Sequence, residues 1–93
     1  MDCASVQFSR HALERMFERA VSPHTVRRLI REGEEIASYP DDQPLPSALI
    51  LGFEAGSPVH LVVAKNPVTR ACIVVSIYYP DPALWRGDFR TRR

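Results

Sequence analysis

Residues 59–79 read VHLVVAKNPVTRACIVVSIYY. This stretch holds two apolar runs, at 59–64 and 71–79, and both are rich in residues that favour strands. The six residues between them include Asn66-Pro67, a turn-forming pair, and predict a hairpin loop. Because a short loop joins two strands in opposite directions, the stretch predicts the centre of an antiparallel sheet.

Two further strands are predicted upstream of this hairpin. Residues 47–53 read SALILGF, and the turn-forming residues 54–58 connect them to the next strand. Residues 34–39, EEIASY, give a weaker strand signal and are followed by the loop 40–46. The chain from residue 34 onward therefore predicts three or four sequential strands.

The first of two predicted helices starts at Ser9, whose hydroxyl suits an N-cap position. Phe8 and Leu13 stand on either side of this cap at the spacing of a hydrophobic staple. The buried stripe of the helix is predicted to contain Ala12, Leu13, Met16, Phe17 and Ala20.

The second predicted helix starts with Ser22 as its cap and Pro23 at the first helical position, and Gly33 marks its end. Its buried face is predicted to contain Val26, Leu29 and Ile30. Two helices followed by strands with short loops predict a single α+β domain over residues 1–93. We expect the two N-terminal helices to pack on one face of a three- to four-stranded antiparallel meander.

The composition is that of an ordinary globular domain. Of the 93 residues, 45% are hydrophobic and 25% are charged, which argues against wholesale disorder. No run approaches the roughly 20 apolar residues of a membrane span, and the start MDCASVQ lacks the order of a signal peptide. Cys3 and Cys72 have no redox or metal-binding spacing, so we expect two free thiols in a reduced, cytoplasmic protein that does not bind membranes.

The net charge of +1 hides an uneven distribution along the chain. Residues 1–33 carry six bases and four acids, residues 34–64 carry five acids and no base, and residues 65–93 carry six bases and two acids. Eleven of the twelve bases are arginine, whose forked guanidinium fits phosphate and carboxylate groups. The arginines favour an anionic partner, but they are also expected if the source proteome simply uses arginine in place of lysine throughout.

Three basic residues recur at helical spacing on the first predicted helix. His11, Arg15 and Arg19 follow one another at intervals of four and form a polar ridge beside the apolar stripe. An imidazole that titrates near neutral pH, with guanidinium groups that stabilise a phosphorane, is what metal-independent RNA cleavage needs. The alternative is a solvated helix face, since Arg15 and Glu18 stand at the spacing of an exposed ion pair.

His60 lies inside the strand that precedes the hairpin loop. Pairing of apolar residues across the hairpin places His60 on the same face as Ser76 and Tyr78, together with Cys72 and Val74. This face is the less apolar of the two, so we predict that it is open to a ligand. A lone histidine in a strand is more often structural than catalytic, but the predicted neighbours Ser76 and Tyr78 leave both roles open.

Candidate substrate contacts lie in the loops and the tail. Lys65, the only lysine, starts the hairpin loop and is a candidate phosphate contact. Trp85 and Arg86 can stack a base and hold a phosphate, unless the tryptophan closes the edge of the core instead. The histidines and cysteines share no metal-ligand spacing and there is no glycine-rich phosphate loop, so we expect no metal and no cofactor.

The chain also carries the runs FSRHALERMFER, SPxxV followed by IxxGExIxxYP, SxLILGF, PVHLVVA, and YxPDPxxW before the ending DFRTRR. Together these runs, from about residue 6 to the C-terminus, resemble a small bacterial family catalogued as domain of unknown function 4258. That family is similar in element order to RelE- and BrnT-like toxins, which implies two helices on an antiparallel sheet and RNA cleavage without a metal. The resemblance also implies a partner antitoxin with an MqsA-like zinc-finger domain.

The family's recurring polar positions fall here on His11, Arg15, Arg19, His60 and Tyr78. The implied function is a ribonuclease toxin of a toxin–antitoxin pair. His11 or His60 would be the general base, Arg15 and Arg19 would stabilise the phosphorane, and Tyr78 would donate a proton to the leaving oxygen. The rival hypothesis is a non-catalytic module that binds a partner protein, and the oligomeric state is left open.

Overall fold

In the computed structural model, which describes residues 1–93, two helices cover one face of a five-stranded mixed sheet. The strand order across the sheet is β1-β5-β4-β3-β2. In chain order the elements are β1 (Ser5–Phe8), α1 (Arg10–Glu18), α2 (Pro23–Glu32), β2 (Glu34–Tyr39), β3 (Ser47–Glu54), β4 (Ser57–Lys65) and β5 (Ala71–Tyr78). The α+β class is confirmed. The expected sheet of three or four antiparallel strands is wrong, because β1 adds a fifth strand that runs parallel to its neighbour.

β1 is the strand that the sequence does not reveal. It pairs with β5, with Ser5 opposite Ala71 and Phe8 opposite Val74. Four residues are too few for a strand periodicity to show, and Phe8 reads equally well as a staple residue before the helix. Because β1 ends opposite Val74, residues 75–78 of β5 have no strand on that side.

The pairing of β1 with β5 also brings the two cysteines together. Cys3 lies two residues before β1 and forms a disulfide with Cys72 of β5, with the Cα atoms 5.7 Å apart. The expectation of two free thiols is therefore wrong. Sequence spacing gives no sign of this bond, because the cysteines are 69 residues apart and meet only through the unpredicted strand.

Both helices begin at their predicted caps. The hydroxyl of Ser9 accepts a hydrogen bond from the N–H of Ala12 at 3.0 Å, and that of Ser22 accepts from the N–H of Thr25 at 3.1 Å. Gly33 ends α2 as predicted, and a Cβ atom there would lie 2.5 Å from a backbone oxygen of the last turn. Only a glycine fits this close approach.

Ser9 has a second role that Ser22 lacks. Its hydroxyl donates to the carbonyl of Val75 at 2.9 Å, and its N–H donates to the carbonyl of Val74 at 2.9 Å. α1 therefore starts at the point where β1 ends, and it packs against β5.

The main core lies between the helices and the sheet. α2 contributes the three predicted residues, which are all buried, and α1 contributes Ala12 and Met16. The sheet contributes Ile50, Val59, Leu61, Val63, Cys72, Val74 and Ile77.

α1 buries a narrower stripe than predicted. Leu13 is 47% exposed and Phe17 is 90% exposed, so the expectation that both belong to the core is wrong. Ala20 lies beyond the helix, with a positive φ of 55°. α1 makes its main packing contact with β5 and leaves the flank that carries Leu13 and Phe17 to solvent.

A β-bulge at Val75 interrupts the pairing of β5 with β4. On one side of the bulge Tyr78 stands opposite His60, as predicted. On the other side the register shifts by one residue, which turns Cys72 and Val74 toward the helices and into the core. The prediction that these two share a face with His60 is wrong, because an inserted residue reverses the alternation of faces.

The C-terminal residues 80–93 cover His60 on the face of the sheet away from the helices. Trp85 from this segment is only 7% exposed and pairs through a backbone bridge with Arg92. The prediction that this face is open to a ligand is therefore wrong at His60, which is fully buried. Neither helix has the length and apolar character that crossing a membrane requires.

Ser9→Ala is expected to lower the free energy of unfolding by about 2 kcal/mol, with roughly half from the lost cap and half from the lost bond to Val75. Ser22→Ala removes a cap of the same kind but no bond to the sheet, so it should cost about 1 kcal/mol. Urea unfolding of the two variants and the unaltered protein measures the difference. Equal losses would show that the bond from Ser9 to β5 does not help to hold α1 in place.

Candidate functional site

The predicted polar ridge of α1 lies against the part of β5 that has no strand neighbour on that side. His11 is exposed, and its Nε2 atom lies 3.2 Å from the hydroxyl oxygen of Ser76 in β5. This contact orients the imidazole and leaves the other ring nitrogen, Nδ1, without a protein partner. An accessible histidine with one nitrogen held and one free has the arrangement of a general base.

The two arginines of the ridge differ in their partners. Arg15 forms an exposed ion pair with Glu18 at 3.1 Å, one turn along α1. The guanidinium carbon of Arg19 lies 5.0 Å from the centre of the Tyr79 ring, in a cation–π contact. Arg19 has no carboxylate partner, and its buried Nε has no hydrogen-bond acceptor. The ridge thus ends in a guanidinium with an unused donor.

His60 occupies a very different environment, beneath the C-terminal segment. Its Nε2 atom lies 2.7 Å from the carbonyl oxygen of Phe89, and its Nδ1 atom lies 3.3 Å from the hydroxyl of Tyr78. Because a carbonyl can only accept, Nε2 carries the hydrogen, and Nδ1 accepts from Tyr78 in the neutral ring. Both nitrogens are therefore occupied.

Aromatic rings complete the enclosure of His60. The Trp85 ring meets it edge to face at 4.6 Å between centroids, and the Tyr78 ring does so at 5.3 Å. Burial lowers the pKa of His60, and the bond to Phe89 opposes this only in part. Burial likewise raises the pKa of the Tyr78 hydroxyl. A neutral histidine and a protonated tyrosine bonded to one another form a structural pair.

The structure therefore does not bring the two predicted histidines to one open site. His11 contacts Ser76 in the open, whereas His60 contacts Tyr78 behind Trp85. No side chain bonds to both rings. Of the five predicted catalytic residues, His11, Arg15 and Arg19 stand together on α1, and His60 and Tyr78 stand apart from them under the tail.

The three predicted substrate contacts are dispersed. Lys65 ends β4 and donates to the backbone oxygen of Asp2 near the N-terminus. Trp85 is buried against His60, so its ring is not free to stack a base. Arg86 is exposed in the C-terminal segment, where its N–H donates to a neighbouring carbonyl.

Sequence reasoning missed two residues of the ridge environment. The hairpin register gives the predicted face of Ser76, but the sequence does not predict that Ser76 contacts His11 or that Tyr79 supports Arg19. Ser76 and Tyr79 both lie beyond the end of β1, where α1 packs against β5. No local signal in the sequence shows that α1 packs there.

The acidic middle third of the chain is partly neutralised by the basic ends. Arg90 pairs with Glu34 at 2.7 Å, and Arg28 pairs with both Glu32 and Glu54. All of these side chains except Glu54 border a cavity of about 320 Å³ near the end of α2. Since its charges are already paired with one another, the cavity offers none to a ligand. No group of three or more histidine, cysteine, aspartate or glutamate side chains is placed to hold a metal ion.

A family model matches residues 8–79, more than half of the chain, and its description is "Domain of unknown function (DUF4258)". The chain belongs to the DUF4258 family. The match includes the whole α1 ridge and ends at Tyr79, before the segment that covers His60. No curated protein and no solved structure matches the chain, so its similarity to RelE- and BrnT-like toxins stays a prediction.

The lowered pKa of His60 predicts a pH-dependent stability. Because this pKa lies below the ordinary 6.5, the unfolded chain takes up the proton first as the pH falls. The stability that neutral His60 contributes should be complete above pH 6.5 and decline as the pH falls toward the lowered pKa. Urea unfolding at a series of pH values between about 8 and about 5 measures the decline.

His60→Gln should remove this part of the pH dependence, while it also lowers the stability at high pH because a bond is lost. His24→Gln is the matched control, since His24 is exposed and should leave the profile unchanged. A profile that keeps its slope in His60→Gln would contradict the assignment of His60 as a buried neutral group.

Proposed function

We propose that this protein is a metal-independent ribonuclease that acts as the toxin of a toxin–antitoxin pair, with His11 rather than His60 as its catalytic histidine. One observation supports this choice most: His11 is exposed, has one ring nitrogen held by Ser76, and stands on the same ridge as Arg15 and Arg19. The resemblance to RelE- and BrnT-like toxins supports the substrate class. His60 is left with a structural role.

The chemistry follows from the free nitrogen of His11. With Nε2–H donating to the Ser76 hydroxyl, Nδ1 has the lone pair and takes the proton of a ribose 2′-hydroxyl. The 2′-oxygen attacks the adjacent phosphorus, and the bond from phosphorus to the 5′-oxygen breaks. The 5′-oxygen takes a proton from solvent, which leaves a 2′,3′-cyclic phosphate and a free 5′-hydroxyl.

Arg15 stabilises the charge that develops on the phosphorane, and Arg19, farther along the ridge, holds a neighbouring phosphate of the same strand. Arg19 has no carboxylate partner, and its outer N–H groups donate to that phosphate, since its Nε atom is buried. Arg15 exchanges Glu18 for phosphate at little cost, since an exposed pair of this kind is worth about 0.2–1 kcal/mol. Tyr78 takes no part, because its hydroxyl faces His60.

The remaining parts of this function concern its cellular context. The partner would be an antitoxin with an MqsA-like zinc-finger domain, and an RNA substrate places the protein in the cytoplasm. Thiols are kept reduced there, so α1 must stay on β5 with Cys3 and Cys72 unlinked. The Ser9 bonds to Val74 and Val75 hold α1 independently of the disulfide.

A second candidate function, the binding of a partner protein without catalysis, is favoured by the exposed flank of α1. Leu13 and Phe17 lie one turn apart on this flank, and Phe17 is the most exposed large apolar side chain of the molecule. Two such residues at helical spacing are what a helix presents to the apolar groove of a partner. This flank is separate from the ridge, so an antitoxin can use it in either case.

The expected result is cleavage of single-stranded RNA in the presence of EDTA, with 2′,3′-cyclic phosphate ends. His11→Ala should lower the rate about 100-fold or more, because it removes the general base. Arg19→Ala should lower it as well, whereas Arg10→Ala, on the exposed side of α1, should not. Gel analysis of a labelled RNA measures all four rates.

Two controls separate chemistry from folding. His24→Ala alters an exposed histidine outside the ridge and should cleave at the unaltered rate. His60→Gln should lose activity only in proportion to its loss of folded protein. No cleavage by the unaltered protein, together with a stable protein partner whose binding is unaffected in His11→Ala, would select the second candidate.

A further inference from the structure

A groove with flat, apolar walls opens where β5 passes into the C-terminal segment. Its volume is about 330 Å³, at the lower end of the range for ligand pockets. The walls are formed by Ser57, Pro58, Tyr79, Pro80, Pro82 and Phe89. None of these side chains carries a charge, so the groove suits a flat ligand that is not itself ionised.

Tyr79 connects this groove to the ridge of α1. The ring is 43% exposed, and Arg19 stands over it. One aromatic side chain thus lies next to both an apolar groove and a guanidinium. A ligand that fills the groove and also reaches Arg19 must combine a flat apolar part with an anion.

The unneutralised charge of Arg19 strengthens the requirement for an anion. Its Nε atom is buried, so an anion meets the outer N–H groups of the guanidinium, which no carboxylate pairs with. Among the arginines of α1, Arg10 and Arg15 already have glutamate partners, and Arg19 alone does not. A phosphate that binds to Arg19 displaces no carboxylate.

The distance along α1 separates this groove from the catalytic histidine. His11 and Arg19 are eight residues apart, about 12 Å along a helix that rises ~1.5 Å per residue. One nucleotide whose phosphate lies at His11 does not also fill a groove beyond Arg19. The groove therefore fits the base of a flanking nucleotide on the same strand.

We propose that the groove at Tyr79 and Phe89 binds an unstacked base of single-stranded RNA, with the adjoining phosphate on Arg19. This assignment rests on the ribonuclease function and adds a second contact point on its substrate. Bases stack on aromatic side chains with little regard to sequence, so the groove takes single strands of varied sequence. In a duplex the bases are paired and stacked and do not reach it.

Binding of a 2′-O-methyl RNA oligonucleotide, which lacks the nucleophile and is not cleaved, tests this directly by fluorescence anisotropy. The unaltered protein should bind the single strand more tightly than a duplex of the same sequence. Tyr79→Ala should weaken binding about tenfold, while Tyr79→Phe should bind as the unaltered protein does. Phe17→Ala removes a more exposed aromatic ring outside the groove and should have no effect.

Arg19→Ala should also weaken binding and reduce its dependence on salt by about one phosphate contact, whereas Arg10→Ala should change neither. Thermal unfolding of each variant checks that it is folded. Equal affinity for single strand and duplex, or unchanged affinity in Tyr79→Ala, would contradict the proposal that the groove binds a base.

The two proposals fail in different ways. If the oligonucleotide binds tightly through Tyr79 but unmodified RNA is not cleaved, the proposed ribonuclease activity is refuted and base binding in the groove is supported. If Tyr79→Ala cleaves unmodified RNA with the same KM as the unaltered protein, base binding in the groove is refuted and the ribonuclease activity is supported.

Discussion

The hydroxyl of Ser9 makes the connection on which the position of the candidate site depends. It accepts from the N–H of Ala12, which starts α1, and it donates to the carbonyl of Val75, which fixes that start to β5. A strand thus becomes a helix with no intervening loop, and the helix lies beside the part of β5 that β1 leaves unpaired. The ridge of α1 faces Ser76 and Tyr79 for this reason.

The C-terminal segment then divides the candidate polar residues between two environments. Near α1, His11 and Arg15 are exposed, and Arg19 has no carboxylate partner. Beneath the C-terminal segment, His60 and Tyr78 are hydrogen-bonded to each other, and His60 also donates to the carbonyl of Phe89. A catalytic histidine must exchange protons with a substrate, and a buried ring with both nitrogens engaged does not. This contrast supports the proposed difference in role between His11 and His60, which look alike in the sequence.

Local features of the fold were predictable from the sequence, and features that depend on distant contacts were not. The caps at Ser9 and Ser22 and the strands β2 to β5 follow from side-chain chemistry and periodicity within a few residues. β1 is too short to show a period, and the disulfide of Cys3 depends on it. Burial of His60 depends on Trp85, 25 residues later in the chain, and no local pattern reveals that contact.

The candidate site was predictable to a similar extent. Helical spacing alone placed His11, Arg15 and Arg19 on one ridge, and the register of the hairpin placed Tyr78 beside His60. The sequence could not show whether the ridge and the His60–Tyr78 pair share one site, because this depends on which residues the C-terminal segment covers.

The central claim, that His11 and not His60 meets the ligand, is tested most directly by NMR of the three histidine side chains. Nitrogen-resolved spectra of the imidazole rings report the tautomer, the pKa and the response of each ring to an uncleavable 2′-O-methyl RNA oligonucleotide. We expect His60 to hold its hydrogen on Nε2, to titrate below 6.5 and not to respond, while the signals of His11 move and those of His24 do not. A response of His60 to the oligonucleotide, with none at His11, would contradict the assignment.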